Sequence, residues 1–463
     1  MTSPELLLTV LGTVPLQDEE VAMASAVGVD DYALTRVPDS ARYSWWSVAV
    51  QRFGQVSALS QFLLGATIGF GMSFGNAVLA FTLGSVILEL ITVLVGVIGV
   101  REGLTTSMIA RWTGFGRGGS ALIGLAIGIS LIGWFGIQSA VSAQGLAALV
   151  GGLPEWGWAL VFGLVVTAIV VRGFHSMAWT AYLMVPAFLV LVGWSVVSEL
   201  TRHDLGALVA SAPPGPSLSL LQGTTLVAGG FIVGAVITPD MTRFNRTTGD
   251  VVKQTLVGVT LGEYVIGLAG VLLAHAVGTA QITTIVTSSV GWVGLLIVIA
   301  GTMKINDWNL YSSGLGVVNF IGTVSGKRAH RGLVTAVLGV VGSVLAAAGI
   351  LSKFTDFLTV LGVAFPPIAG IMVAEYFVVK QWRGDLEEAR ARGAVPADAP
   401  VWVPATIVVW IAAALFGEFV DWGLPSINSL VVAFVLYVAA GKLGLVRGVG
   451  KSRTADAEPA PAA

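Results

Sequence analysis

One stretch of this chain, residues 53–100, contains a single charged side chain, that of Glu89. A helix that crosses a lipid bilayer needs about 20 mainly apolar residues, so this stretch is long enough for two crossings. The dipeptide Gly75-Asn76 lies near its middle and predicts the turn between the two helices. Apolar segments of this length indicate an integral membrane protein.

The composition of the whole chain agrees with a membrane location. Of 463 residues, 55% are hydrophobic and 11% are charged, whereas an ordinary soluble domain has about 25% charged residues. The 24 Lys and Arg nearly balance the 26 Asp and Glu, which leaves no basic field for nucleic acid. Cysteine is absent, so the sequence excludes disulfides, thiolate metal sites and cysteine nucleophiles.

Apolar windows bounded by Gly, Pro or charged residues predict an all-α integral membrane protein with twelve transmembrane helices. The windows are 53–100 (helices 1 and 2), 118–154, 156–171, 173–198, 206–239, 257–277, 290–321, 332–379 (helices 9 and 10), 399–417 and 423–441. The lipid bilayer is therefore an expected partner of the chain.

The distribution of Lys and Arg predicts which end lies in the cytoplasm, because cytoplasmic loops carry an excess of these residues. With the N-terminus inside, only three of the 24 Lys and Arg fall elsewhere. Arg202 and Lys353 fall outside, and Lys304 falls within the membrane. The expected location is the cytoplasmic (inner) membrane, with several crossings and both termini in the cytosol.

Unusual residues recur at a nearly constant offset along the chain, which indicates an internal repeat. The pairs are Gln61 with Phe231, Trp134 with Lys304, and Glu89 with Glu263. The first two pairs are separated by 170 residues and the third by 174. Two repeats of five helices must have opposite orientations in the membrane, an arrangement typical of transporters.

The repeat divides the chain into five regions. They are a cytosolic tail (1–50), a first repeat with helices 1–5 (51–200), a second repeat with helices 6–10 (215–380), helices 11 and 12 (400–445), and a disordered C-terminal tail (446–463). Transporters of this architecture interrupt the first helix of each repeat at the substrate site. The polar residues Ser57, Ser60 and Gln61 predict such a break in helix 1, and Gly229-Gly230 predicts one in helix 6.

Charged residues at bilayer depth are costly and are functional candidates by default. Lys304 and Asp307, one helical turn apart, are the only charges between Glu263 and Lys327. They could set ion coupling, or they could form a structural ion pair that fixes packing. Glu89 and Glu263 are deep carboxylates that could carry a proton, or hydrogen-bonded structural residues.

Two aromatic residues and several amides predict a slot for a flat, uncharged ligand. Trp134 and Gln138 lie one turn apart on one helix face, and Phe231 lies beside the predicted break in helix 6. Ring stacking is worth about 1 to 3 kcal/mol per base. Gln138, Asn306 and Gln61 offer donors and acceptors without a buried charge. The alternative interpretation is that the aromatic rings belong to the core or face lipid.

Sequence motifs of enzymes are missing. The chain has no GxxxxGK[ST] phosphate loop, no HExxH motif and no metal-ligand cluster, and its four His are scattered. We therefore expect neither an enzyme nor a bound metal or cofactor.

The chain resembles the bacterial cytosine permeases and, more widely, the purine-cytosine permease branch of the nucleobase:cation symporters. The resemblance covers about 56–379. Its motifs are Gly103-Leu104-Thr105-Thr106, Ala110-Arg111, Gly133-Trp134-Phe135-Gly136, Thr238-Pro239-Asp240, Arg243-Phe244, Arg246, Asn306-Asp307, Leu310-Tyr311, Ser313-Gly314-Leu315-Gly316 and Pro366-Pro367. Together these motifs are far more specific than any one of them.

The resemblance implies a five-plus-five inverted-repeat fold of the LeuT type, with substrate between helices 1, 3, 6 and 8. It implies that Trp134 and Phe231 sandwich the base. A substrate-binding Gln of the cytosine permeases falls on Leu131 here, and a serine contact falls on Val233. Gln138, however, matches the Gln that related hydantoin carriers place four residues after this Trp.

The resemblance also bears on the coupling ion. Sodium-coupled relatives bind the ion between two helix 8 hydroxyls and helix 1 carbonyls, which correspond here to about Gly54 and Ser57. The two hydroxyl positions are Lys304 and Ile305 in this chain. An ammonium group there would replace the sodium ion, which implies transport coupled to protons or independent of ions.

The sequence thus predicts a secondary active transporter that imports a nucleobase, a cytosine-like or purine-like heterocycle, by alternating access. The substrate-site residues are Trp134, Gln138, Gly230, Phe231, Asn306, Ser60 and Gln61; the ion-coupling residues are Lys304, Asp307, Gly54, Ser57 and Glu263. Alternatives are the same fold carrying a hydantoin, allantoin or vitamin-like ring, sodium-coupled symport, an ion channel, and a sensor that binds without translocating.

Overall fold

The computed structural model describes residues 32, 34–171, 178–327, 329–420 and 422–453. Its helices are α1 (Trp45–Val56), α2 (Leu59–Gly71), α3 (Phe74–Glu102), α4 (Thr106–Ala110), α5 (Gly116–Leu149), α6 (Glu155–Val171), α7 (Ala178–Leu200), α8 (Leu205–Ala210), α9 (Leu220–Val236), α10 (Pro239–Thr242), α11 (Thr248–Thr255), α12 (Leu268–Val277), α13 (Ile282–Val290), α14 (Trp292–Ser325), α15 (Arg331–Ala347), α16 (Phe354–Ala364), α17 (Pro366–Ala374), α18 (Arg383–Ala391), α19 (Pro404–Phe419) and α20 (Pro425–Lys442). Three π-helical segments continue or join them, Leu256–Thr260, Glu263–Gly267 and Glu375–Val379, and a kink at Arg111–Phe115, where Thr113 and Gly114 leave helical geometry, joins α4 to α5. Short 3₁₀ turns occupy Asp39–Ala41 and Ile350–Lys353, and two strands, β1 (Asp398–Trp402) and β2 (Val449–Arg453), complete the described elements.

Many of these helices have the length and apolarity of membrane spans. Within the described ranges, five segments are each long and apolar enough to cross a bilayer: Phe74–Glu102, Thr106–Leu149, Thr248–Val277, Ile350–Val379 and Pro425–Lys442. The bent pair α1 and α2 makes a sixth. Shorter apolar helices are Glu155–Val171, Pro186–Leu200, Leu220–Val236, Arg331–Ala347 and Pro404–Phe419. The order of these helices follows the predicted one, and the count of twelve crossings stays a prediction.

The first helix begins earlier than the sequence predicts. Ser44 caps α1 by accepting a hydrogen bond from the backbone N–H of Ser47 at 3.4 Å, so the helix starts at Trp45 and not near residue 53. The predicted tail of residues 1–50 is therefore too long at its C-terminal end. Residues 1–31 lie outside the described part of the chain.

A sharp bend separates α1 from α2. Ser57 has ψ 67° and Ala58 is extended, so the helical hydrogen-bond pattern stops after Val56. The axes of α1 and α2 differ by 59°. Ser60 and Gln61 lie in the first turn of α2, directly beyond the bend.

The expected interruption at Gly229-Gly230 is wrong, because α9 runs unbroken from Leu220 to Val236. Close packing explains the glycines instead. A Cβ atom on Gly229 would overlap the carbonyl oxygen of Leu358, and one on Gly230 would lie 2.7 Å from Leu64 Cδ2. Small residues permit such backbone approach between membrane helices.

The two longest helices, α5 and α14, pack antiparallel along most of their length. Hydrogen bonds join them at three levels. The Ser313 hydroxyl donates to the Gly128 carbonyl at 2.8 Å, Asn306 Nδ2 donates to Ser139 Oγ at 3.0 Å, and the hydroxyls of Ser142 and Thr302 bond each other. Polar links of this kind fix the register of two apolar helices in a bilayer.

The C-terminal segment contains a strand within the predicted disordered tail. Strand β2 pairs antiparallel with β1, with Asp398 opposite Arg453 and Trp402 opposite Val449. The predicted tail of residues 446–463 is therefore wrong for 449–453, and residues 454–463 lie outside the described ranges. β1 covers the start of α5, because Gly116 and Gly118 pack against Pro400 and Trp402, and Trp112 Nε1 just before α5 donates to the Asp398 carbonyl at 2.9 Å.

A buried ionic cluster joins the N-terminal segment to the end of α3. The Glu102 carboxylate accepts hydrogen bonds from Arg36 at 2.9 Å, Arg390 at 2.8 Å and the Tyr376 hydroxyl at 2.5 Å. Burial lowers the pKa of Arg36, and the charge of Glu102 opposes this effect. Arg36 also donates to the carbonyls of Ala394 and Leu386 and so holds three distant segments together.

We expect Glu102→Gln to lower the melting temperature of the purified protein markedly. Removing one partner of a buried ion pair leaves an uncompensated charge, here mainly Arg36, and costs about 3 kcal/mol. The control is Glu388→Gln, which removes an ion pair with Arg392 whose side chains are 60–70% exposed. Equal melting temperatures for the two variants would contradict the prediction.

Candidate functional site

Trp134 lies in the middle of α5 with its indole almost enclosed. The residue is 8% exposed. The edges of two rings on α16 meet it, with centroid distances of 6.0 Å to Phe354 and 5.3 Å to Phe357. A Cβ atom on Gly133 would collide with Phe357, so the glycine admits this ring beside the indole. The indole therefore packs between helices α5 and α16.

Gln138 lies one turn beyond Trp134 and is 3% exposed. Its Oε1 atom has no hydrogen-bond partner among the described residues. A buried polar atom without a partner costs about 1 to 3 kcal/mol and requires an explanation, such as a ligand or water. Gln138 is thus a candidate binding residue on geometric grounds.

Asn306, which the sequence analysis grouped with Gln138, has its amide engaged by the protein. Its Nδ2 donates to the Phe135 carbonyl at 3.1 Å and to Ser139 Oγ at 3.0 Å, and its Oδ1 accepts from Asn309 at 3.2 Å. The side chain is fully buried. In this arrangement Asn306 links α14 to α5.

Phe231 and Gly230 lie on α9, and Phe231 has a cation as a neighbour. The Arg52 guanidinium lies 5.8 Å from the centre of the Phe231 ring. Arg52 is 1% exposed and donates to the Gly234 carbonyl at 3.3 Å and to the Thr238 hydroxyl. From the sequence Arg52 is expected among the cytoplasmic cations, and its buried contacts on and just after α9 could not be predicted, since they join residues 182 and 186 positions apart.

The bend between α1 and α2 leaves polar groups without partners. Ser57 Oγ and Gln61 Nε2 are buried and unpaired among the described residues. Gln61 points toward α12, since a Cβ atom on Gly267 would lie 3.3 Å from its Nε2. Gly54 faces open space, and Ser60 is half-buried.

Three side-chain hydrogen bonds connect α3 to the π-helical region before α12. They join the hydroxyls of Thr82 and Tyr264, Ser85 Oγ to Glu263 Oε2, and Thr260 Oγ1 to Glu89 Oε1. Glu263 is fully buried, and its second carboxylate oxygen is unpaired among the described residues. π-helical segments widen the helix locally and are frequent at functional sites.

Lys304 and Asp307 lie one turn apart near the centre of α14. Lys304 is half-buried, and Asp307 is 6% exposed. Asp307 Oδ1 has no hydrogen-bond partner within the described ranges. The two charges are thus neighbours at the depth of Trp134 and Gln138 on the opposing helix.

A cavity of about 650 Å³ opens at the end of the bundle that carries the connections 150–154, 278–281 and 348–349. Its wall includes Val141 of α5, Leu63 and Thr67 of α2, and Phe354 of α16. Val141 lies one turn from Gln138, and Phe354 contacts Trp134. The cavity wall therefore includes neighbours of Trp134 and Gln138, although these two residues do not line it themselves.

Three comparisons relate the chain to known proteins. Residues 36–424 match the family model described as permease for cytosine/purines, uracil, thiamine, allantoin. The cytosine permease of Escherichia coli (strain K12) is 31% identical over 348 residues, which are 74% of this chain and 80% of the relative. The hydantoin permease of Microbacterium maritypicum is 22% identical over 464 residues, with 93% and 91% of the two chains covered.

A solved structure shows the same fold. Mhp1 in its inward-facing conformation superposes with a TM-score of 0.75 at 19% identity, covering 90% of this chain and 94% of Mhp1. The chain is accordingly an all-α, multi-pass membrane transporter with a small two-stranded addition, and its relatives are permeases and not enzymes. It belongs to the family of permeases for cytosine/purines, uracil, thiamine and allantoin.

Proposed function

We propose that this protein imports a flat, uncharged nucleobase-like heterocycle, cytosine-like or purine-like, by alternating access. The observation that carries the proposal is the buried, unpaired Gln138 carbonyl one turn from Trp134. A ring N–H of the substrate would donate to this oxygen while the ring stacks on the indole. The names of the relatives support a nucleobase as the substrate class.

The second wall of the slot is proposed to come from α9. Gly230 brings α9 against Leu64 of α2, and Phe231 lies on the following position. In the described arrangement the Trp134 ring contacts Phe354 and Phe357. Substrate binding therefore requires α16 to move relative to α5, so that the base replaces part of this aromatic packing.

The direction of transport follows from the predicted orientation. With a cytosolic N-terminus in the inner membrane, the 650 Å³ cavity opens to the outside. A substrate would enter there, reach Phe354 and Val141, and bind beside Trp134 and Gln138. Helices α1, α2, α3, α9 and α12 would then rock against α5, α6, α14 and α15.

We propose that coupling uses protons, or no ion, because Lys304 supplies a positive charge where sodium-coupled relatives bind the cation. Asp307 would hold the ammonium group, and Glu263 is a second candidate proton carrier. Gly54 and Ser57 at the bend would contribute carbonyl oxygens near this charge.

The test is uptake of labelled cytosine, uracil, adenine, guanine and hypoxanthine into proteoliposomes, with sodium and proton gradients imposed separately. We expect saturable uptake of at least one base, driven by the proton gradient and indifferent to sodium. Stimulation of the wild-type protein by sodium would contradict the role of Lys304. Failure with all five bases would contradict the substrate class.

If transport is coupled to protons, Lys304→Gln should abolish accumulation against a gradient while exchange of labelled for unlabelled substrate continues. The charge is proposed to act in coupling, whereas binding depends on Trp134 and Gln138. Lys353→Gln, which alters an exposed lysine paired with Asp356, is the control and should change neither readout. Loss of exchange in Lys304→Gln would instead place Lys304 in substrate binding.

A hydantoin is the second candidate substrate. Gln138 occupies the position that the resemblance assigns to the hydantoin carriers, and the hydantoin permease aligns over 93% of this chain. Hydantoins share the flat ring and the N–H donors that Gln138 requires. Uptake of the labelled base is measured in the presence of unlabelled bases, hydantoins and allantoin. The compound that inhibits uptake at the lowest concentration binds best, which distinguishes a nucleobase from a hydantoin as the substrate.

A further inference from the structure

An apolar groove runs along the outside of the bundle between α3, the segment from α17 to 379, and α20. Its volume is about 450 Å³, and only apolar residues line it. Several of them are exposed by 45–49%, including Leu90, Val378 and Val431. The groove therefore opens laterally, where the bundle meets lipid, and is separate from the candidate substrate site. Lining residues are Leu90, Leu94, Val373, Phe377, Val431 and Phe434.

Three exposed cations lie at one end of this groove. The Arg101 guanidinium lies 5.8 Å from the centre of the Phe377 ring, which lines the groove. Lys380 follows Phe377 by three residues, and Lys442 ends α20. A Cβ atom on Gly441 would lie 2.8 Å from the Val379 methyl groups, so the residue before Lys380 packs its side chain on the backbone next to Lys442.

Three of the neighbouring acidic side chains, Glu102, Glu375 and Glu387, are engaged by other groups. Glu102 is buried and bonded to Arg36 and Arg390. Glu375 accepts from the Trp382 backbone at 3.1 Å and from the Tyr437 hydroxyl at 3.2 Å. Glu387 pairs with Arg383 at 2.7 Å. The three exposed cations therefore present a net positive charge to the end of the groove.

The backbone of Lys380 supports a specific role for its position. Lys380 has φ 62°, in the left-handed region that non-glycine residues rarely adopt. Its N–H donates to the Glu375 carbonyl at 2.7 Å and closes the π-helical turn. Gly would satisfy this conformation without strain, yet the chain has an exposed lysine there.

We propose that this groove binds an anionic phospholipid, with an acyl chain along the apolar wall and the phosphate between Arg101, Lys380 and Lys442. Leu94 precedes Arg101 by seven residues, or about 10 Å of helix. The apolar wall and the cations therefore succeed each other along α3 in the same order as the acyl chain and the headgroup of a phospholipid. Basic pockets between membrane helices on the cytoplasmic side recognise acidic lipids. Free phosphate would leave the groove empty, which is why a lipid is the expected occupant.

The experiment measures lipid retention by native mass spectrometry after the protein is equilibrated with mixed vesicles of phosphatidylcholine and phosphatidylglycerol. We expect the wild type to retain phosphatidylglycerol in preference to phosphatidylcholine. Arg101→Gln, Lys380→Asn and Lys442→Gln should each weaken retention about fivefold. Lys253→Gln, an exposed cation on α11, is the matched control and should behave as the wild type.

A second variant tests the groove separately from the charges. Val431→Trp places an indole in the groove and leaves the three cations in place, so we expect it to lose phosphatidylglycerol as well. Melting temperatures show that each variant is folded. Equal retention of the two lipids by the wild type, or unchanged retention in the three charge variants, would overturn the proposal. Retention by Val431→Trp would overturn the acyl-chain part and indicate a headgroup contact alone.

Discussion

Gly65→Ala should lower the melting temperature of the protein strongly. A Cβ atom at this position would overlap the carbonyl oxygen of Gly267, so the new methyl group meets backbone and not a movable side chain. The contact repeats along the helix pair, because a Cβ atom on Gly69 would lie 2.6 Å from Val271 Cα and one on Gly270 would lie 2.5 Å from the Phe62 carbonyl oxygen. Overpacking typically costs about 1 to 3 kcal/mol, and a backbone neighbour places this substitution at the upper end.

The matched control is Gly193→Ala in α7, where nothing lies within 4 Å of the added Cβ atom. This variant should be as stable as the wild type or slightly more so, because alanine favours a helix over glycine by about 1 kcal/mol. Thermal unfolding of the detergent-solubilised proteins measures the difference. If Gly65→Ala has the same melting temperature as Gly193→Ala, α2 and α12 do not approach as closely as described.

Trp134→Ala should weaken substrate binding by about 10-fold to 100-fold, since base stacking is worth about 1 to 3 kcal/mol. Gln138→Ala should weaken it by about tenfold, because the ring N–H of the bound substrate would be left without its acceptor. Dissociation constants from scintillation proximity measurements with the labelled base test both variants.

Trp308→Ala and Gln51→Ala are the controls for these two substitutions. Trp308 lies on α14 with 56% of its surface exposed, and Gln51 is exposed on α1. Both controls remove the same side-chain types away from the slot and should bind as the wild type does. A Gln138→Ala variant with wild-type affinity would remove Gln138 from the site and leave its unpaired oxygen to a bound water.

The helices could be predicted from the sequence because apolar length is a strong signal. Each predicted window contains a helix, and the long antiparallel pair α5 and α14 carries four of the predicted site residues, Trp134, Gln138, Lys304 and Asp307. Glycine predicts structure less well, because it can either interrupt a helix or allow a neighbouring helix to pack closely against it. At Gly229-Gly230 the structure shows the second use, and the sequence alone does not separate the two.

Long-range polar partners could not be predicted. The amide of Asn306 is engaged by Phe135, Ser139 and Asn309, and only the register of α5 against α14 reveals this. The same holds for Arg52, whose partners on and after α9 are far away in the chain. Strands β1 and β2 escaped prediction because DAPVW and VGKSR have little of the apolar alternation that indicates a strand.

The pairing of β1 with β2 has a consequence for biosynthesis. The ribosome makes β1 before α19 and α20, and β2 only at the end of the described chain. During synthesis, β1 therefore has an unpaired edge until β2 is complete. The start of α5 depends on the same ribbon, since Gly116 and Gly118 pack closely against Pro400 and Trp402. We therefore expect a chain that ends before residue 449 to insert its helices but to keep the edge of β1 unpaired. That exposed edge would be open to aggregation and to recognition by cellular quality control.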